Sequence, residues 1–161
     1  MRKSSLLLGV AVLTLLGSCG KKPIADATPA YDLSAASNAK FLGDNAAKPG
    51  VHKTADGLQY SVLKAGTGKT PQSPDDVVSV TYKGWMINGK VFDQTHGTPA
   101  TFPAGRLIPG WVEALSMMKE GDEWELVIPS ELGYGSEGAG SDIPPNQTLV
   151  FDMTLISVQP Q

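Results

Sequence analysis

The sequence predicts an α+β domain in which an antiparallel sheet of five or six strands wraps one short α-helix. Three observations carry that expectation. Apolar and polar residues alternate in several separate runs, a single later stretch keeps a helical period, and the 18 Gly and 12 Pro gather at turns between these runs rather than in tracts. A length of 161 residues suits one domain of ordinary size with a short extension.

The chain opens with Met1-Arg2-Lys3, an apolar run from Leu6 to Leu16, and Gly17-Ser18-Cys19, the layout of a secretory signal. Crossing a bilayer takes about 20 apolar residues, and this run ends well short of that before Gly20-Lys21-Lys22-Pro23. Leu16-Gly17-Ser18-Cys19 resembles the lipobox of bacterial lipoproteins, which implies cleavage after Ser18 and acylation of Cys19. Two or more acyl chains anchor a protein stably where one does not. The resemblance therefore implies membrane attachment, and Gly20 after the Cys implies the outer membrane, with the protein facing the periplasm or the cell surface. Cys19 is the only cysteine, so no internal disulfide can form. Residues 1–18 are read as signal peptide, 19–53 as lipidated Cys and tether, and 54–161 as the globular domain.

From Gly20 to about Ser37 the chain is rich in Ala, Pro, Ser, Asp and Thr, too poor in large apolar groups to pack, and is expected to be a flexible tether. Asn38 to Ala47, with Phe41 and Leu42, has room for a helical turn or two before Pro49-Gly50. Strands follow. Leu58, Tyr60 and Val62 alternate with polar neighbours, as do Val78, Val80 and Tyr82, with the period of two of a half-buried strand. Asn88-Gly89 supplies a positive-φ pair for a tight hairpin between Trp85-Met86-Ile87 and Lys90-Val91-Phe92. Trp124, Leu126 and Ile128 form another alternating run, and Leu149, Phe151, Met153 and Leu155 a last one. Trp111, Val112, Leu115 and Met118 keep helical spacing instead, after Pro109-Gly110 and before Gly121. One short amphipathic helix among antiparallel strands can bury its stripe only against a sheet face.

Several segments then fall into a recognisable order: Val80-Thr81-Tyr82-Lys83-Gly84, Gly89-Lys90-Val91-Phe92-Asp93, Phe102, Leu107-Ile108-Pro109-Gly110-Trp111, Pro129 to Gly135, Ile143-Pro144-Pro145-Asn146, and Leu149-Val150-Phe151-Asp152. Over about a hundred residues this resembles the FKBP-type peptidyl-prolyl cis/trans isomerases. Gly57-Leu58-Gln59-Tyr60 with Gly66-Thr67-Gly68 is similar to their bacterial Mip-like subgroup, which often carries a helical dimerisation arm upstream. Gly20 to Thr54 is too short for such an arm, so a monomer is expected.

The resemblance implies acceleration of X–Pro isomerisation in peptides and unfolded exported proteins, without a cofactor. It implies Trp111 as the floor beneath the proline ring, with Tyr82, Phe92, Leu107, Ile108 and Phe151 as walls and Phe102 nearby. It further implies Asp93 as a polar group at the cleft edge, Tyr134 as hydroxyl donor to the substrate carbonyl, the Ile108 N–H as a second donor, and Ile143 overhanging the site. Macrolides of the FK506 and rapamycin type are the inhibitors that such a pocket takes. Ala100 stands where many relatives carry a further aromatic, which is expected to open one wall.

Other chemistries find little support. Lys+Arg 13 against Asp+Glu 16 gives no basic footprint for nucleic acid. Gly66-Thr67-Gly68-Lys69-Thr70 ends like a phosphate-binding loop, but Leu63 occupies the required first Gly and Pro71 follows where a helix should start. Gly133 to Gly140 lacks the Lys-Ser/Thr of such a loop and is expected to be a mobile segment over the cleft. His52, His96 and Cys19 cannot build a zinc set or a Cys/His dyad. The alternative to an isomerase is a membrane-anchored chaperone or scaffold that holds proline segments with little turnover.

Overall fold

A computed structural model describes residues 31–161; the signal-like segment and Cys19 lie outside the described residues. The expected α+β architecture is present, with more elements than the alternation alone predicts. The chain runs through α1 (Ala35–Ala46), β1 (His52–Lys53), β2 (Gln59–Lys64), β3 (Val77–Met86), β4 (Val91–Gln94), β5 (Ala100–Pro103), α2 (Pro109–Met117), β6 (Glu123–Ile128) and β7 (Leu149–Gln159). The strands form one seven-stranded antiparallel sheet in the order β1-β2-β6-β7-β3-β4. β5 shares the β4 edge of β3, β4 pairing residues 83–85 and β5 residues 77–80. Seven exceeds the expected five or six because β1 is only two residues long and β5 only four, too brief for a legible alternation.

The concave face of the sheet closes on α2. Val78, Val80, Leu126, Ile128, Met153 and Leu155 from the strands meet Trp111, Ala114, Leu115 and Met118, all buried. Pro109 opens α2, where its missing N–H leaves no helical acceptor unserved. Gly110 follows because a Cβ there would come within 2.7 Å of the Ile128 side chain, so its absence lets the helix settle onto β6.

The convex face is covered as well, and this differs from the sequence expectation. Gln59, Val127 and Val150 lie side by side on the outer face in register, and each is at most 2% exposed. Helix α1 lies over them. Its contacts are polar: Asn45 Nδ2 donates to Gln59 Oε1 at 2.9 Å, and Gln59 Nε2 donates to the Leu42 carbonyl at 2.9 Å. At the other end Asn38 Oδ1 accepts the Thr148 amide at 2.7 Å while its Nδ2 donates to Gln147 Oε1 at 3.2 Å. The tether expected through Ser37 therefore gives way earlier to structure, with Ser34 as the cap of α1, its hydroxyl accepting the Ser37 amide. The packed body begins upstream of Thr54.

The β3–β4 hairpin is where it was expected, but its turn is of a different kind. Gly89 alone takes a positive φ of 82°, and Asn88 does not share it. The Gly89 amide reaches the Met86 carbonyl at 2.8 Å, and Met86 N–H closes the loop on Lys90 O at 3.0 Å. This is a three-residue connection ending in a left-handed Gly. The glycines of the phosphate-loop lookalike also have a packing reason: a Cβ on Gly66 would sit 2.3 Å from the Glu120 carbonyl.

Candidate functional site

Seven parts of the chain converge at one end of α2. β3 supplies Tyr82, β4 Phe92 and Asp93, β5 Phe102, the segment before α2 Leu107 and Ile108, α2 Trp111, and β7 Phe151, with Tyr134 from the segment after β6; together they line a cavity of about 160 Å³. The segment carrying Leu107 is held by bonds from Ala104 N to Asp76 O and from Gly105 N to Pro74 O, both 2.8 Å.

The rings are arranged as a cup. Trp111 is 5% exposed and meets Tyr82, Phe151 and Phe102 edge-on, with centroids 4.9, 5.2 and 6.3 Å away and interplanar angles of 81°, 78° and 80°. One ring thus lies flat while three stand around it, an edge-to-face geometry that aromatic quadrupoles favour. Phe92 extends the wall, perpendicular to Phe151 at 5.5 Å. Gly84 makes that contact possible: a Cβ there would lie 2.6 Å from the Phe151 ring and 2.8 Å from Phe92. Sequence reasoning assigned Gly84 no role, although a glycine in mid-strand is itself a signal of close approach. The Trp111 indole N–H is buried without an acceptor among the described residues, a cost of about 1–3 kcal/mol that the surrounding apolar contact must offset.

Polar groups share the lining with the rings. Tyr82 donates its hydroxyl to Asp93 Oδ2 at 2.6 Å, and burial followed by this bond pushes the phenol well above its ordinary range, so it stays a donor at any physiological pH. One carboxylate oxygen of Asp93 is thereby committed. Tyr134 is 39% exposed, and its phenol is raised by burial and then by the Asp93 charge. Ile108 caps α2, its carbonyl accepting the amides of Trp111 and Val112 at 2.9 and 3.1 Å; the N–H of a cap residue lies outside the helical ladder.

Nine of the ten residues expected around the cleft within the domain line this one cavity. Ile143, 6% exposed, lines an adjoining cavity with Phe92, Asp93 and Tyr134 instead. Ala100 pairs with Val80 at the start of β5. The glycine-rich segment expected to be mobile is cross-braced: Ala139 and Ile143 exchange N–H···O bonds of 2.8 and 3.1 Å, and Gly135, Gly138 and Gly140 carry the positive φ values that so tight a path needs.

Comparison with known proteins gives the following. The family model described as FKBP-type peptidyl-prolyl cis-trans isomerase matches residues 68–156, and that described as the domain amino terminal to FKBP-type peptidyl-prolyl isomerase matches residues 16–62. A probable FKBP-type peptidyl-prolyl cis-trans isomerase FkpA of Neisseria meningitidis is 51% identical over 120 residues, 73% of this chain and 44% of that protein. The outer membrane protein MIP of Legionella longbeachae is 47% identical over 121 residues, 74% of this chain and 52% of that protein. The crystal structure of FkpA from Escherichia coli superposes with a TM-score of 0.74 at 44% identity, covering 78% of this chain and 59% of that one. The chain spans about half the length of the curated relatives it matches.

Proposed function

The chain belongs to the FKBP-type peptidyl-prolyl cis-trans isomerase family, and on that premise we propose that its aromatic cup catalyses cis/trans isomerisation of X–Pro bonds. The observation that carries the reading is the flat Trp111 ring enclosed by three upright rings, with Asp93 and Tyr134 in the same lining. Rotation about an X–Pro amide breaks its resonance, against a barrier of about 18–20 kcal/mol, and takes tens to hundreds of seconds unaided. No bond to the protein is required. The protein must suit the twisted amide better than the planar one, and each ~1.4 kcal/mol of such preference is worth a factor of ten in rate.

A proline ring laid on Trp111 excludes water from the imide. The twisted amide has lost part of its charge separation, so an apolar surrounding favours it over the planar form. In this reading Tyr134 and the Ile108 N–H donate to the substrate carbonyls, and Asp93, steadied by Tyr82, faces the imide from the cleft edge. The location of all four around one cavity supports these roles.

The substrates we infer are proline-containing segments of unfolded exported proteins. A relative that bears the name outer membrane protein MIP supports a place in the bacterial envelope. The signal-like N-terminus with its lipobox-like end supports a lipid anchor at Cys19. The test is the cis-to-trans rate of an Ala-Leu-Pro-Phe peptide with the full chain in mild detergent, beside Asp93→Leu. Acceleration that falls at least tenfold in the variant is expected. Binding of the peptide without acceleration would leave a proline-binding module and overturn the enzymatic reading.

A further inference from the structure

Beside the aromatic cup lies a second cavity of about 190 Å³, which shares Phe92, Asp93 and Tyr134 with it and is completed by Ala139, Asp142 and Ile143. Its walls are of two kinds. Phe92, Ala139 and Ile143 are apolar, whereas Asp93 and Asp142 bring carboxylates and none of the lining residues is cationic. Asp93 has given one oxygen to the Tyr82 hydroxyl and keeps the other. Among the described residues Asp142 faces a single ammonium, that of Lys90 on the β3–β4 hairpin, at 3.8 Å, and both side chains are more than half exposed. The backbone around Asp142 is braced, since the Ala139–Ile143 bridge encloses residues 140–142 in a turn with Gly140 at a φ of +55°.

We propose that this side cavity receives the side chain of the residue preceding proline, and that Asp142 makes the protein select lysine or arginine there over an acidic residue. The inference rests on the reading of the aromatic cup as the proline site. With the proline ring on Trp111, the Cα of the preceding residue lies about 3.8 Å from that of proline in the trans form and about 2.9 Å in the cis form. Its side chain must therefore leave past the groups that flank the imide. On that reading these are Asp93 and Tyr134, and both also belong to the side cavity.

The shape of the chemistry fits a long basic residue. Lysine and arginine carry an apolar stem that packs on Phe92 and Ile143 and a cationic tip that seeks a carboxylate beyond them. Lys90 demonstrates that an ammonium reaches Asp142. An exposed pair of that length is weak, so a substrate cation can take its place at little cost. A glutamate in the same position would meet two carboxylates and no cation among the lining residues. Leucine would gain the apolar wall alone and serves as the neutral reference.

The experiment compares Ala-Lys-Pro-Phe, Ala-Leu-Pro-Phe and Ala-Glu-Pro-Phe with the full chain, measuring both kcat/KM and peptide affinity by NMR titration, in the native protein, Asp142→Asn and Asp142→Lys. Exposed charge pairs set the scale, and a Lys-over-Glu ratio of about fivefold is expected, shrinking at high salt. The ratio should fall about twofold or more in Asp142→Asn, where Asp93 alone remains, and invert in Asp142→Lys, with the Leu peptide unchanged within about twofold by the same scale. A Lys-over-Glu ratio as large in Asp142→Asn as in the native chain would overturn the role of Asp142. Loss of turnover for all three peptides, Leu included, would instead strike the isomerase reading. The affinity ratios still decide the side cavity in that event, and equal affinities for the Lys and Glu peptides would overturn it.

Discussion

Trp111 joins fold and site in one side chain, because its ring is both a buried part of the core and the base of the cup. Replacing it by Ala should lower unfolding free energy by about 3–5 kcal/mol, the range for a lost buried aromatic, and remove turnover as well. Asp93→Leu and Tyr134→Phe should behave differently. Both residues stand at the rim rather than in the core, so their variants should keep their melting temperatures within a few degrees while kcat/KM drops, a split that calorimetry and the peptide assay read together. Gly84→Ala tests the walls, since the new methyl must displace Phe92 or Phe151; reduced turnover with a smaller stability loss than Trp111→Ala is expected. Taken singly, Tyr82, Phe92, Trp111 and Phe151 read in the sequence as core residues. Only their shared order with Asp93 and Tyr134 marks a site. Gly84 stands in that order too, but a residue without a side chain offers no chemistry from which to read a role.

At the scale of elements, the long strands and α2 were legible because their apolar periods are clean, as in Val78-Val80-Tyr82 and Leu149-Phe151-Met153-Leu155. Helix α1 was only half visible. Its sheet-facing positions include Asn38 and Asn45, polar residues that are 6% and 3% exposed and that bind Thr148, Gln147 and Gln59, so no apolar stripe announced it. The hairpin turn was located correctly, yet Asn-Gly suits more than one turn type, and the choice made here depends on the register of β3 against β4. The polar docking of α1 has a measurable consequence. Asn38→Ala strips the acceptor from the buried Thr148 amide, and denaturant unfolding should register a loss of about 1–3 kcal/mol. Peptide turnover in the folded variant should be unchanged, since α1 lies on the face of the sheet opposite α2.

The whole molecule responds to pH through carboxylates of opposite tendency. Asp76, 3% exposed, accepts the amides of Gln72, Ser73 and Gln161 at 2.8, 3.0 and 3.2 Å, bonds that hold its carboxyl below the ordinary range, that to Gln72 most. With the folded value depressed, its contribution is complete above the ordinary carboxylate pKa and is lost as pH falls through the folded value. Glu125 and Asp152 face each other across β6 and β7; burial raises both, with repulsion from Asp152 acting on Glu125 and from Glu123 on Asp152. Their sign is reversed: stability declines as pH rises from the ordinary carboxylate pKa through the raised value. Melting curves should therefore show Asp76→Asn less stable at neutral pH but converging with the native chain in acid, and Glu125→Gln more stable at neutral pH with no gain in acid. Turnover of X–Pro bonds by the cup, as against merely holding them, is read by NMR exchange spectroscopy on an Ala-Leu-Pro-Phe peptide at equilibrium with a small amount of the full chain. Cis/trans exchange faster than the unaided tens of seconds is expected, with the acceleration abolished in Trp111→Ala; peptide resonances that shift on binding while the exchange rate stays at its unaided value would contradict turnover by the cup.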